Sequence, residues 1–178
     1  REFECTVQIG GSDQWGNIVS GVDLVRRALA RQVFAITVPL ITKADGAKFG
    51  KSESGTVWLD PAKTSPYSFY QFWVNTADVD VVSYLRCFTF LEAEALNAAS
   101  YAIANEPNKR EGQKLLAAEV TRLVHGTEGL GAAERISGAL FSGEIDGLTA
   151  KDLEQLKLDG MGCTEVGDEI GLIDVLAD

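Results

Sequence analysis

Gln8-Ile9-Gly10-Gly11-Ser12-Asp13-Gln14-Trp15-Gly16-Asn17 joins an apolar run to a helical pattern, and its reading decides the fold. Upstream of it, Cys5-Thr6-Val7-Gln8-Ile9 is a short β-type run that breaks at the two glycines. Ser12 and Asp13 are both good helix N-cap residues, so a strand is expected to turn into a helix here. Downstream, Ile18, Val22, Val25 and Leu29 recur at helical spacing, with Arg26, Arg27 and Arg31 at the end where cations suit the negative helix terminus. The next run, Val33-Phe34-Ala35-Ile36-Thr37-Val38, is apolar without alternation, which predicts a strand buried on both faces of a parallel sheet. The order is therefore β-α-β, and earlier strands of the same sheet are expected upstream.

Beyond this unit, residues 42–66 crowd glycine, serine, lysine and proline, a composition for an exposed, mobile loop, with one β-like piece at Thr56-Val57-Trp58-Leu59. Helical patterns then follow at 66–74, 79–88, 92–104, 109–125, 130–141 and 150–158, separated by Pro107 and glycine-containing breaks. A last apolar piece spans 171–177.

The 46% hydrophobic and 24% charged content is that of a globular protein. No apolar run approaches the roughly 20 residues that cross a bilayer, and a cytoplasmic location without membrane association is expected. Cys5, Cys87 and Cys163 are odd in number and far apart, which fits a reducing compartment, and with His125 as the single histidine a structural zinc site has too few ligands. The formal charge of −10 is uneven: residues 1–91 carry nine Lys/Arg against nine Asp/Glu, and residues 92–178 carry seven against seventeen. Such a chain gains little from non-specific attraction to phosphates, so any nucleic acid contact must come from local patches.

Two constellations carry chemistry. At the strand-to-helix turn, Gly10 and Gly11 allow close backbone approach and the helix N-terminus offers unpaired N–H groups to anionic oxygens. Asp13 there can accept from ribose hydroxyls, and Gln14 can donate and accept at an acyl-phosphate centre. A plain turn capped by Asp13 is the alternative. The second constellation is Lys48-Phe49-Gly50-Lys51-Ser52, in which two lysines and a hydroxyl on a loop suit a triphosphate and a departing pyrophosphate, with Phe49 as an anchor. A solvated basic loop is the alternative there.

Taken together, Gly-Gly-Ser-Asp-Gln-Trp-Gly-Asn followed by Lys-Phe-Gly-Lys-Ser resembles the class I tyrosyl-tRNA synthetases of bacterial type, the second stretch being similar to their KMSKS signature. Trp58-Leu59-Asp60-Pro61, Thr64-Ser65-Pro66-Tyr67, Phe69-Tyr70-Gln71-Phe72-Trp73 and Thr121-Arg122-Leu123-Val124-His125-Gly126 are similar to the same family. The resemblance runs from about Gln8 to Leu158. It implies an α/β part followed by a mostly α part. Residues 1–41 would be the C-terminal part of a Rossmann-like, parallel-sheet catalytic domain and 42–66 the KMSKS-type loop and linker. Residues 67–160 would be a helical domain on the anticodon-arm side, and 161–178 a linker or the start of a further domain.

What the resemblance implies for single residues is specific. Asp13 would bind the ATP ribose, Gly11 would let the sugar approach, and Gln14 would contact the tyrosyl group or the α-phosphate. Lys48, Phe49, Gly50, Lys51 and Ser52 would form the pyrophosphate-holding segment. Activation of L-tyrosine to tyrosyl-adenylate and its transfer to tRNA(Tyr) would follow, with Mg²⁺ arriving on the ATP phosphates and the full-length protein a homodimer. The HIGH signature and the upstream part of the tyrosine pocket have no counterpart here, so the chain alone is expected to be inactive. Lys109, Arg110 and Lys114, placed on adjacent turns of one predicted helix, are the best local patch for tRNA phosphates, with a solvated helix face as the alternative. His125 is expected to serve a helix end, and the aromatics between Tyr67 and Trp73 to pack rather than to stack on bases. A tryptophanyl-tRNA synthetase-like enzyme and a non-catalytic, synthetase-derived RNA-binding module are the competing assignments.

Overall fold

Strand β1 (Val7–Gly11) and strand β2 (Phe34–Val38) lie parallel, with Val7 opposite Phe34 and Gly11 opposite Val38, and helix α1 (Trp15–Leu29) makes the crossover between them. The computed structural model describes residues 2–42, 49, 51–52 and 55–162, with backbone only at 51, 52 and 55. The chain divides into two compact units, Arg1–Phe49 and Gly50–Asp178.

In the first unit α1 ends at Ala30, whose left-handed backbone (φ 51°) returns its N–H to the Arg26 carbonyl at 3.0 Å. Arg26 and Arg27 stand in the last turn, as the helix dipole favours, and both pair with Asp23 at 2.7 Å. Ile18 is the buried anchor of this helix, and its Cδ1 lies 3.0 Å from where a side chain on Gly10 would begin. The parallel strands agree with the reading, but their burial does not. Exposure alternates along β2: Phe34, Ile36 and Val38 are exposed, as are Val7 and Ile9 opposite them, while Ala35 and Thr37 are half-buried. Two strands flanked by one helix have cover for one face only, so the expected burial on both faces does not occur among the described residues.

The second unit opens with a two-residue hairpin, β3 (Lys51–Ser52) antiparallel to β4 (Gly55–Thr56), Lys51 opposite Thr56. The β-like piece expected at 56–59 thus reduces to its first residue, and Trp58 instead enters a hydrogen-bonded turn. Helices α2 (Pro66–Val74), α3 (Asp78–Phe88), α4 (Ala93–Asn105), α5 (Glu111–Ser142) and α6 (Ala150–Leu158) follow. Ser65 caps α2 with Pro66 at its first position, and Thr149 with Asp152 forms a capping box on α6, so local chemistry sets both starts.

Phe69, Tyr70 and Trp73 turn one face of α2 into the core, against Leu116, Ala117, Val120, Ala133 and Ile136 of α5. Trp73 meets Phe69, Tyr84 and Phe88 edge-on, at 6.1, 6.3 and 5.1 Å between ring centres. These rings are therefore core, and each buried one contributes about 1.5–3 kcal/mol from area alone. Helix α5 is two helices joined at a kink: Gly126 sits at φ 71°, ψ −177°, a conformation almost closed to residues with a Cβ. That break separates the two helical patterns read at 109–125 and 130–141. The final apolar piece at 171–177 lies outside the described residues.

Candidate functional site

Gly11 ends β1 in extended backbone (φ −69°, ψ 160°), and a single 3-10 turn, Ser12–Gln14, intervenes before α1. That turn overturns the capping expectation. The helix starts at Trp15 with Gln14 as its N-cap residue and no side-chain cap, so neither Ser12 nor Asp13 caps it. The Asp13 carboxylate instead accepts from Gln14 Nε2 at 3.3 Å, and Gln14 Oε1 accepts from Asn17 Nδ2 at 3.3 Å. All three side chains are exposed. A carboxylate and a carboxamide are thus held side by side at the C-terminal end of a parallel strand, where open α/β sheets take ligands.

The glycine at position 11 is required for space rather than for torsion. A Cβ there would stand 2.6 Å from Asp13 Oδ1 and 2.8 Å from Leu40 Cδ2. Gly11 therefore leaves the volume that the Asp13 carboxylate uses. Asn17, which the sequence reading passed over, orients Gln14; its signal was its place three residues on, one helical turn away.

Of the second constellation, Lys48 and Gly50 lie outside the described residues. Phe49 is half-buried in a turn, and Lys51 and Ser52 form β3 by their backbone. Gly11, Asp13 and Gln14 belong to the first unit, and Lys51 and Ser52 to the second.

The basic patch is arranged differently from the sequence expectation. Lys109 lies in a 3-10 turn (Pro107–Lys109) and pairs with Glu106 at 2.9 Å. Arg110 has left-handed backbone (φ 53°) and donates from Nη2 to the Val74 carbonyl at 2.6 Å. Helix α5 begins only at Glu111, and of the three cations Lys114 alone is on it, exposed. The three are therefore not on adjacent turns of one helix, because the left-handed residue interrupts the pattern.

His125 stands just before the α5 kink, edge-on to Phe69 with ring centres 4.8 Å apart, and its Nε2 is buried without a hydrogen-bond partner among the described residues. Burial lowers its pKa below the ordinary 6.5. His125 thus stands at a helix end, as expected, and the lowered pKa disfavours the charged form that a dipole partner would need. Beside it, a cleft of about 550 Å³ opens between the 59–66 segment, α5 and α6, with Glu128, Arg135, Lys151 and Asp152 on its walls. Arg135 pairs with Asp152 at 2.9 Å and Lys151 with Glu128 at 3.8 Å, so these four groups offer no net charge to a phosphate.

Residues 2–142 match the family model described as tRNA synthetases class I (W and Y). The chain is 58% identical over 174 residues to a tyrosine–tRNA ligase of Aliivibrio fischeri, covering 97% of this chain and 41% of that protein. It is 54% identical over 178 residues to the tyrosine–tRNA ligase of Escherichia coli, covering all of this chain and 42% of that one. The chain thus spans about two fifths of the length of these relatives. A C-terminally truncated mitochondrial tyrosyl-tRNA synthetase of Coccidioides posadasii is similar in structure, with a TM-score of 0.62 and 34% identity over 75% of this chain and 40% of that chain.

Proposed function

We propose a function from one premise: the chain belongs to the class I tRNA synthetases of the tryptophan (W) and tyrosine (Y) type. In this reading it is part of a tyrosine–tRNA ligase, and it supplies ribose- and pyrophosphate-binding residues for a reaction that the full-length protein performs. The observation that carries this is the 58% identity to a tyrosine–tRNA ligase across 97% of the chain, a span that takes in both constellations. The relatives named above are tyrosine enzymes, which favours tyrosine over the tryptophan assignment and catalysis over a bare RNA-binding role.

The tyrosine carboxylate attacks the α-phosphate of ATP, tyrosyl-adenylate forms with loss of pyrophosphate, and a terminal tRNA hydroxyl then takes the tyrosyl group. Asp13 accepts from the ribose hydroxyls, and Gly11 keeps the room for it. Gln14, aligned by Asn17, steadies the reacting acyl-phosphate. Lys48, Lys51 and Ser52, on the segment that includes Phe49 and Gly50, hold the pyrophosphate and meet the charge that develops on it. Such a mechanism works by positioning and electrostatic stabilisation and needs no covalent enzyme intermediate. Mg²⁺ enters with ATP as part of the substrate. Lys114 is the best-placed of the three basic residues for a tRNA phosphate, and the homodimer and the cytoplasm complete the reading.

Tyrosine-dependent exchange of pyrophosphate into ATP tests it in the full-length protein. Exchange is expected to require tyrosine and to fall at least tenfold in Lys51→Ala, about 1.4 kcal/mol of transition-state stabilisation. This chain on its own is expected to give none. Exchange supported by tryptophan, or aminoacylation by the isolated chain, would refute the corresponding part.

A further inference from the structure

Ser65 is fully buried at the root of α2, and its hydroxyl group does two things. Its oxygen accepts the Ser68 N–H at 3.0 Å, which caps the helix, and its O–H donates to Asp159 Oδ2 at 2.5 Å. Capping requires only the first of these. The second ties α2 to the residue that closes α6, 94 positions away. One turn earlier on α6, Gln155 Oε1 accepts the Tyr67 N–H at 3.4 Å. Four residues apart, Gln155 and Asp159 share one helix face, and both act on the first turn of α2.

From Ser65 back toward the hairpin the chain is a closed turn. The Asp60 carbonyl accepts the Lys63 and Thr64 N–H groups at 3.0 and 3.1 Å, and Asp60 Oδ1 accepts the Ala62 N–H at 3.0 Å. Thr64 is buried, and its Oγ1 accepts the Trp58 N–H at 2.9 Å. The Lys63 ammonium lies 4.4 Å from the centre of the Trp58 ring, which pins the outer side of the turn. Only Val57 separates Trp58 from Thr56, and Thr56 stands opposite Lys51 in the β3–β4 pair. A continuous series of bonded elements therefore leads from α6 to the backbone of Lys51.

We infer that Gln155 and Asp159 are positioning residues for the Lys51 hairpin: α6 grips the root of α2 and, through the 57–65 turn, fixes where β4 holds β3. The inference rests on the reading of Lys51 as a pyrophosphate-holding residue. Neither α6 residue touches a substrate. Their effect passes through the backbone that presents Lys51.

The test uses the full-length enzyme in tyrosine-dependent pyrophosphate exchange, with KM for ATP and for tyrosine measured separately and thermal unfolding alongside. Asp159→Ala is expected to lower kcat/KM for ATP about fivefold to tenfold while KM for tyrosine stays the same. Asp159→Asn, whose amide oxygen still accepts the Ser65 hydroxyl, is expected to stay within about twofold of the parent. In a Lys51→Ala background the Asp159→Ala loss should vanish, because both changes remove one effect. Gln155→Ala, which leaves Ser65 bonded, provides a milder variant with an expected loss of about threefold should Asp159→Ala fold poorly. A fall in melting temperature with unchanged kinetics, an equal rise in the tyrosine KM, or a loss that persists without Lys51 would overturn the inference. Undiminished exchange in Lys51→Ala would instead refute the reading of Lys51 itself, whatever Asp159 does.

Discussion

Arg135 reaches from α5 to Asp152 in the first turn of α6, Nη2 to Oδ1 at 2.9 Å, and the carboxylate it holds is 1% exposed while the arginine side chain is 49% exposed. Asp152 also accepts the Thr149 N–H at 2.9 Å and the Thr149 hydroxyl at 2.8 Å, so one buried carboxylate closes a helix cap and an interhelical pair together. The pair joins α5 to the first turn of α6, the helix whose Gln155 and Asp159 bond to the root of α2.

Removing the arginine leaves that carboxylate buried with only its cap bonds. A fully buried ion pair broken on one side costs about 3–5 kcal/mol and an exposed one about 0–1. With one partner half-exposed, Arg135→Ala is expected to cost about 1–2 kcal/mol in urea unfolding at neutral pH. Burial alone would raise the Asp152 pKa, but the hydrogen bonds from Arg135 and Thr149 and the guanidinium charge outweigh it and hold it below 3.8. A depressed carboxylate pKa contributes stability above the unfolded value and loses it as pH falls through the folded one. The difference between parent and variant should therefore shrink below about pH 4. An equal difference at pH 7 and pH 3 would show that lost packing, not charge, explains the cost.

His125 titrates in the opposite sense to a helix-end cation. Its buried Nε2 has no hydrogen-bond partner among the described residues, and burial lowers its pKa from 6.5, so the unfolded chain binds a proton before the folded one does. Stability is then intact above pH 6.5 and is lost as pH falls from there through the folded pKa, with a limiting slope of about 1.4 kcal/mol per pH unit for one proton. Replacing the imidazole by His125→Phe keeps a ring against Phe69 and removes the proton. Denaturant titrations between pH 7 and 5 should show a flatter dependence in the variant, the difference between the two proteins isolating this residue from the carboxylates. Parallel curves would mean that the imidazole stays as accessible to protons as in the unfolded chain.

How far the sequence could be read follows from how local each cause is. The starts of α2 and α6 were legible because Ser65-Pro66 and Thr149 with Asp152 carry their own capping chemistry. The α5 break was visible because Gly126 interrupts the pattern. By contrast, the exposure of Phe34, Ile36 and Val38 depends on what packs against β2, and no residue in the strand encodes that. The 3-10 turn shifted the start of α1 by one or two residues, enough to release Asp13 from the capping role that its type suggests. The candidate site was legible only as residue types, Asp13, Gln14 and Lys51, in their places along the chain. The Gln14–Asn17 alignment and the Ser65–Asp159 bond were not, since each depends on side-chain geometry or on a partner far along the chain.

Gly11 gives the sharpest functional prediction, because its cost is one of volume. Its backbone angles suit any residue, so alanine meets no torsional penalty. The added Cβ would instead meet Asp13 Oδ1 at 2.6 Å and Leu40 Cδ2 at 2.8 Å. Both are ends of side chains that can rotate, so Gly11→Ala should fold, at a cost of about 1 kcal/mol. The Asp13 carboxylate must turn away, and with it the acceptor proposed for the ribose hydroxyls. In the full-length enzyme KM for ATP is expected to rise about tenfold, with KM for tyrosine unchanged, which is the mark of lost binding at one substrate. Gly16→Ala serves as control: a Cβ there meets nothing within 4 Å, and alanine inside α1 should stabilise by about 0.5–1 kcal/mol without altering either constant. If both glycine variants keep the parent's ATP dependence, Asp13 does not bind the ribose.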